Sequence, residues 1–149
     1  MYDVKGNLHE VLGSLPAGVR LVAISKFHPN EYIEEAYAEG QRIFGESHEQ
    51  ELAKKVASLP EDIEWHFIGH LQTNKVKYIA PYISMIESVD SLKHLKEIEK
   101  QAAKHNRVVK VLLELHLAEE DTKSGLSLDA CRELLEAGEW REMKHVQIC

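Results

Sequence analysis

The stretch VVKVLLELHL, residues 108–117, decides between the folds open to this sequence. It is apolar enough to be hidden and β-branched at its start, as strands are. Side chains alternate across a strand, so Val109, Val111, Leu113 and Leu115 share one face and Lys110, Leu112, Glu114 and His116 the other. With the apolar face against helices, Glu114 and His116 point the opposite way, near the strand's C-terminal end. Polar groups inside a sheet at that end suit a barrel mouth, where (β/α)8 barrels carry their chemistry.

Five further segments read as strands: Leu21–Lys26, Arg42–Gly45, Glu64–Gly69, Ile83–Val89 and Lys144–Cys149. Helix signals fill the gaps. Asn30 is placed as the N-cap of a helix with Ile33, Ala36 and Tyr37 inward, stopped by Gly40. Ser47 and Gln50 form an S-x-x-Q capping box ahead of Leu52, Val56 and Leu59. Asn74 precedes a short helix bearing Val76 and Ile79. Asp90 or Ser91 caps a long one with Leu92, Leu95, Ile98 and Ala102 inward, and Ser127 starts another that stops near Gly138. Val4, Leu8, Val11 and Leu12 mark an additional amphipathic helix ahead of the first strand.

Repeated βα units with apolar strands mean a parallel sheet covered by helices. The turn after the first strand is Lys26-Phe27-His28-Pro29, with none of the glycines of a dinucleotide fingerprint, which leaves a flavodoxin-like sheet or a TIM-type barrel. The polar inner face of residues 108–117 favours the barrel. Six strands are fewer than eight, so the expectation is one domain, residues 1–149, forming an incomplete (β/α)8-type barrel of about six βα units.

The 149 residues are 44% hydrophobic and 29% charged, ordinary values for a globular domain. The net charge of −7, from 25 acidic and 18 basic residues, argues against nucleic acid as a partner. Lys54-Lys55 and Lys75-Val76-Lys77 read as solvated helix faces. No apolar run approaches the roughly 20 residues that span a bilayer, and MYDVKGNLHE lacks a signal-peptide layout. Cys131 and Cys149 have neither metal nor disulfide spacing, which makes a reducing cytoplasm the expected location.

Lys26 is the sharpest chemical candidate. Only about one lysine in 2500 is a neutral amine at pH 7 when its pKa is unperturbed. A barrel wall of Val22 and Ile24 would disfavour the ammonium and release a nucleophile able to form a Schiff base with an aldehyde. A strand-end lysine also bends readily to water or to a carboxylate, and the strand alone leaves both readings open. In Glu64-Trp65-His66-Phe67-Ile68-Gly69-His70, either His66 or the Trp65/Phe67 pair faces the lumen. The spacing of His66 and His70 aligns ligands on a helix but not on a strand, so no zinc site is expected. Gly69 to Lys75 lacks the second glycine and the Ser/Thr of a phosphate loop. Ser47 reads as a cap that also stands where a helix N-terminus meets ligand oxygens. Glu119 to Gly125 is a polar loop in which Lys123 is a second amine. Glu51 with Lys55 and Glu97 with Lys93 read as surface pairs one helical turn apart.

The motifs VAISKFHP, IFGESHEQE, WHFIGHLQTNK, IESVDS and EEDTKSG, in this order, resemble those of the YggS/PROSC family, the PLP homeostasis proteins, from about Leu21 to the C-terminus. The resemblance implies the barrel of the alanine racemase N-terminal domain. It also implies that Lys26 carries pyridoxal 5'-phosphate (PLP) as an internal aldimine, with a role in PLP and vitamin B6 balance and no established catalysis. Many relatives read Gly-Glu-Asn where this chain has Gly45-Glu46-Ser47, so a hydroxyl stands in place of an amide. The motifs with which relatives bind the PLP phosphate would lie beyond Cys149. The expected cofactor contacts are Lys26, Ser47, His66, Ser88 (the first serine of IESVDS), Glu114 and His116, with no catalytic residue and no metal ligand. Two alternatives remain: an amino-acid racemase, which would need a second acid/base on the opposite face of the cofactor, and a non-binding barrel fragment that self-associates through open strand edges.

Overall fold

The structure, a computed structural model, describes residues 2–118 and 125–149. Several helices begin where a short polar side chain accepts one of the free amides of the first turn. Asp3 accepts from Gly6 to start α1 (Val4–Ser14), Ser91 from His94 to start α5 (Leu92–Lys104), and Ser127 from Ala130 to start α6 (Leu128–Ala137). Ser91 and Ser127 are caps that the sequence predicts, and Gly138, at φ 74°, ends α6 as expected.

Three expected helix starts are corrected. Asn30 is the first residue of α2 (Asn30–Ala38), with Pro29 in the cap position, and its amide donates to Ser58 Oγ at 2.8 Å instead. Ser47 does not cap α3 (Glu49–Ser58): His48 holds the cap position without a side-chain bond, so the S-x-x-Q box does not form. Asn74 lies inside a 3-10 turn, Thr73–Lys75, that leads into α4 (Val76–Ile79). In α1 only Leu8 is fully buried, while Val11 and Leu12 are exposed, so the apolar stripe is narrower than its sequence suggests.

All six expected strands are present, β2 shifted by one residue and the others shorter than expected: β1 (Ala23–Ile24), β2 (Ile43–Glu46), β3 (Glu64–Phe67), β4 (Met85–Val89), β5 (Val109–Leu113) and β6 (Val146–Ile148). They pair in parallel in the order β1-β2-β3-β4-β5-β6. Sequential order with right-handed crossovers places every connecting helix on one face. A flavodoxin-like sheet instead reverses at a switch point and is covered on both faces. The sheet is therefore a barrel wall of the (β/α)8 type, six strands wide.

Its two faces differ as the reading of residues 108–117 requires within Val109–Leu113; beyond the strand Leu115, expected on the helix-packed face, is 38% exposed. Phe44, Trp65, Phe67, Ile86, Val109 and Val111 form one buried cluster with Ile33, Leu52, Val76, Leu95 and Ile98 from the helices. On the inner face the register aligns Ile24, Gly45, His66, Met85, Lys110 and Gln147 in one row across the six strands. Ile24 is 48% exposed there, against 2% for Phe44 on the outer face. The ladder of β5 stops at Leu113, short of Leu117, after a register irregularity between Ile86 and Val89 in β4. Beyond it, Glu114 N–H donates to Val89 O, and Leu115 bridges Leu126. No described helix is long and apolar enough to cross a membrane.

Candidate functional site

Strands that all run the same way deliver their C-terminal ends to one rim, and the candidate residues follow from that. Lys26 stands two residues beyond β1, exposed, in a turn closed by His28 N–H donating to Ser25 O at 3.1 Å. Phe27, third in that turn, has φ 63°, where glycine is the usual occupant. A bulky residue in this region costs on the order of 1–3 kcal/mol and persists only where its surroundings impose it.

The surroundings impose it through an ion network that is buried at one end and half-buried at the other. Phe27 N–H donates to Glu51 Oε1 at 2.6 Å. On the other side of Lys26, Ser25 O accepts from Lys55 Nζ at 2.7 Å, Ser25 N–H donates to Gly45 O at 3.0 Å, and the Ser25 hydroxyl donates to the Glu46 carboxylate. Lys55 Nζ is 3.1 Å from both Glu46 oxygens and 2.7 Å from Glu51 Oε1, so one ammonium joins the two carboxylates. Glu46 is 0% exposed and Lys55 5%. Burial alone would raise the Glu51 carboxyl pKa, but hydrogen bonds from Lys55 and the Phe27 amide outweigh it and hold it below its ordinary value.

These contacts correct two expectations. Lys55 is not on a solvated face, and its pairing with Glu51 is part of a buried network. The helix-surface spacing was the only signal, and it looks the same whether that face meets water or a buried carboxylate. The expected desolvation of Lys26 is also weaker than a closed wall would give, since Ile24 is half exposed and Lys26 itself lies in water.

Beside Lys26 runs a groove of about 540 Å³ lined by Ser47, His48, His70, Gln72 and Lys75, within the range of small-molecule sites. Gly69 shapes it: a Cβ there would stand 2.8 Å from both Cβ and O of Ser47, so only glycine lets the loop after β3 close onto the end of β2. The structure thus brings Lys26 and Ser47 into one groove. A smaller cavity of about 290 Å³, between α1, α2 and β1, does not include Lys26.

The other expected contacts lie along the same sheet. His66, 7% exposed, donates from Nδ1 to Glu87 Oε1 at 2.7 Å across β3 and β4, which leaves Nε2 as the ring nitrogen not engaged by Glu87. Trp65 and Phe67 face the helices, so His66 is the member of that stretch on the inner face. Glu87 was not singled out in the sequence, although it alternates with Met85 onto the same face. Ser88 is 2% exposed, and its hydroxyl has no hydrogen-bond partner among the described residues. Glu114 and His116 follow β5, held through their backbones by Val89 and Leu126. Lys123 and its neighbours from Glu119 to Ser124 lie outside the described residues.

An exposed amine at the rim, a polar groove beside it and a buried hydroxyl with no partner among the described residues fit an aldehyde-bearing polar cofactor. The family model for the alanine racemase N-terminal domain matches residues 3–149. The pyridoxal phosphate homeostasis protein of Aquifex aeolicus (strain VF5) is 43% identical over 118 residues, which cover 78% of this chain and 52% of that protein. Its Schizosaccharomyces pombe counterpart is 37% identical over 136 residues, covering 87% and 55%. The chain spans about half the length of these curated relatives. Among solved structures, PipY of Synechococcus elongatus PCC7942 with PLP bound superposes with a TM-score of 0.88 at 34% identity, covering 98% of this chain and 68% of PipY. Alanine racemase from Streptomyces coelicolor A3(2), 16% identical with a TM-score of 0.78, shares the fold. With the sheet order, the matched domain and these relatives in agreement, the chain belongs to the alanine racemase N-terminal domain family, and within it is similar to the pyridoxal phosphate homeostasis proteins.

Proposed function

We propose that this chain binds PLP reversibly as part of PLP homeostasis, with Lys26 as its covalent attachment point. The observation that carries the reading is Lys26 itself: an exposed amine held in a fixed turn at the rim, next to the Ser47 groove. Lys26 Nζ would hold the cofactor through its aldehyde, an amine being the nucleophile that such a carbonyl takes. Ser47, Ser88, His66, Glu114 and His116 are proposed as further contacts. The His66–Glu87 pair fixes which ring nitrogen of His66 is offered to a ligand. When bound, the cofactor supplies an electron sink, and the residues named here hold and orient it.

Holding rather than turnover is the role proposed, supported by relatives that are named as homeostasis proteins. A cytoplasmic setting goes with two free cysteines, Cys131 and Cys149. The test is the visible spectrum with added PLP, followed by borohydride reduction and peptide mass spectrometry. A band that disappears in Lys26→Ala and a pyridoxyl group on the Lys26 peptide are expected; adducts on surface lysines alone would overturn the assignment. Racemisation would instead appear as deuterium entering the α-carbon of an amino acid above background.

A second reading has its own observation. β1 pairs only with β2 and β6 only with β5 among the described residues, so the sheet has two open edges. Such edges pair readily with another chain. Self-association is the proposed consequence, and a monomer by light scattering at high concentration would argue against it.

A further inference from the structure

We propose that the ion network Glu46–Lys55–Glu51, buried at Glu46 and Lys55 and half-buried at Glu51, is the positioning device for Lys26, an inference that rests on the attachment role proposed above. Among the described residues Lys55 is the only buried lysine, and its ammonium meets three oxygens besides the Ser25 carbonyl. A buried ion pair is a poor source of stability, because desolvation offsets its attraction and apolar residues of equal volume fill the space as well. What apolar residues would not do is hold backbone polar groups.

The network holds the groups on both sides of Lys26. Ser25 O accepts from Lys55, and the Ser25 hydroxyl donates to Glu46. One residue past Lys26, Phe27 N–H donates to Glu51. The same Glu51 oxygen accepts from Lys55, so the two clamps meet at one atom. Lys26 is thus the unclamped residue between two clamped ones, with its Cα path set and its side chain in solvent. The left-handed φ of Phe27 is a conformation its own side chain does not favour, so some outside group must enforce it. The charges come from α3 and the last residue of β2, so the packing of α3 on the sheet is converted into the aim of an amine at the end of β1.

Lys55 and Glu51 are therefore positioning residues: they touch neither the amine nor a cofactor, and they act through the backbone that carries Lys26. A chain lacking them can keep its core while Lys26 loses its selectivity. Displacements of about an ångström at a reacting group cost as much as 100-fold in rate, so a loss of about tenfold in Lys26 labelling is expected.

The experiment uses the chain, Glu51→Ala, Lys55→Arg and Lys55→Met, with two readouts. The first is hydrogen exchange at the Phe27 amide without cofactor, compared with core amides such as Phe67 and Val111. The second is the share of borohydride-trapped PLP on Lys26 relative to the surface lysines Lys54 and Lys100. Glu51→Ala, which spares the Glu46–Lys55 contact, is expected to release the Phe27 amide and lower the Lys26 share about tenfold with core protection unchanged. Lys55→Arg is expected to retain more of that share than Lys55→Met. An unchanged Lys26 share in a folded Glu51→Ala chain would overturn the positioning role. If the wild-type chain labels Lys26 no more than Lys54, the attachment reading fails instead. The exchange data then still decide the clamp: a Phe27 amide that exchanges freely in the wild-type chain overturns it, and one released only by Glu51→Ala upholds it.

Discussion

Lys55 Nζ stands 3.1 Å from each carboxylate oxygen of Glu46, and both side chains are closed to solvent. Removing either partner strands a buried charge, so Glu46→Leu and Lys55→Met alone are each expected to cost about 3–5 kcal/mol in urea unfolding. The double variant leaves no charge behind, and its cost should fall well below the sum of the two. Additive costs would mean that the two charges are not coupled.

Gly69→Ala tests how the groove is shaped. The added methyl would lie 2.8 Å from the Ser47 backbone oxygen, which cannot rotate away as a flexible side-chain end would. The expected cost is about 1–3 kcal/mol in unfolding free energy, with amide shifts centred on Ser47 and His70. Shifts spread over the helices instead would place the strain elsewhere.

What the sequence made legible was local or periodic. Val109 and Val111 against Lys110 and Leu112 assign the two faces of β5. Ser91, Ser127 and Gly138 worked as caps because a cap needs only its own first or last turn. Ser47 falls one residue short of the cap position, which His48 holds, and the loop carrying Gly69 lies against it. Strand order was non-local, and only the polar face of residues 108–117 hinted that all helices would lie on one side.

The proposed attachment residue is legible in the sequence and its support is not. Lys26 was found from a strand pattern and a motif, and His66 was among the lumen candidates. Glu46 and Lys55 are far harder to find, because a glutamate inside a motif and a lysine at helical spacing each have an ordinary surface explanation. The left-handed turn at Phe27 was invisible, since the residue there is not glycine.

His94 gives the fold a pH dependence of definite sign. Burial holds its imidazole pKa below the ordinary 6.5, with Asp90 at 3.6 Å only partly opposing, and its Nε2 has no partner among the described residues. Above that ordinary value folded and unfolded chains both hold His94 neutral, and its contribution is complete. As pH falls through 6.5 the unfolded chain takes up a proton that the folded chain still refuses, so stability declines until the lower folded value is passed. Urea unfolding of the wild type and His94→Gln at about pH 7.5 and about pH 5.5 measures this. A smaller loss in His94→Gln is expected, and equal losses would assign the slope to other histidines.

Tyr82 and Ser88 contrast a buried hydroxyl outside the proposed site with one inside it. Burial, with a smaller contribution from Glu49, pushes the Tyr82 phenol up to about 12, and its hydroxyl has no partner among the described residues. Removing an unsatisfied buried hydroxyl relieves about 1–3 kcal/mol of desolvation. Tyr82→Phe is therefore expected to raise the midpoint of thermal unfolding and leave PLP binding as it was. Ser88→Ala is expected to match it in stability without cofactor, because the Ser88 hydroxyl is equally buried and unpartnered. The two should part in a spectral titration with PLP, where Ser88→Ala alone binds more weakly. Equal binding in both variants would remove Ser88 from the proposed contacts, and a destabilised Ser88→Ala chain would show that its hydroxyl already has structural work within the fold.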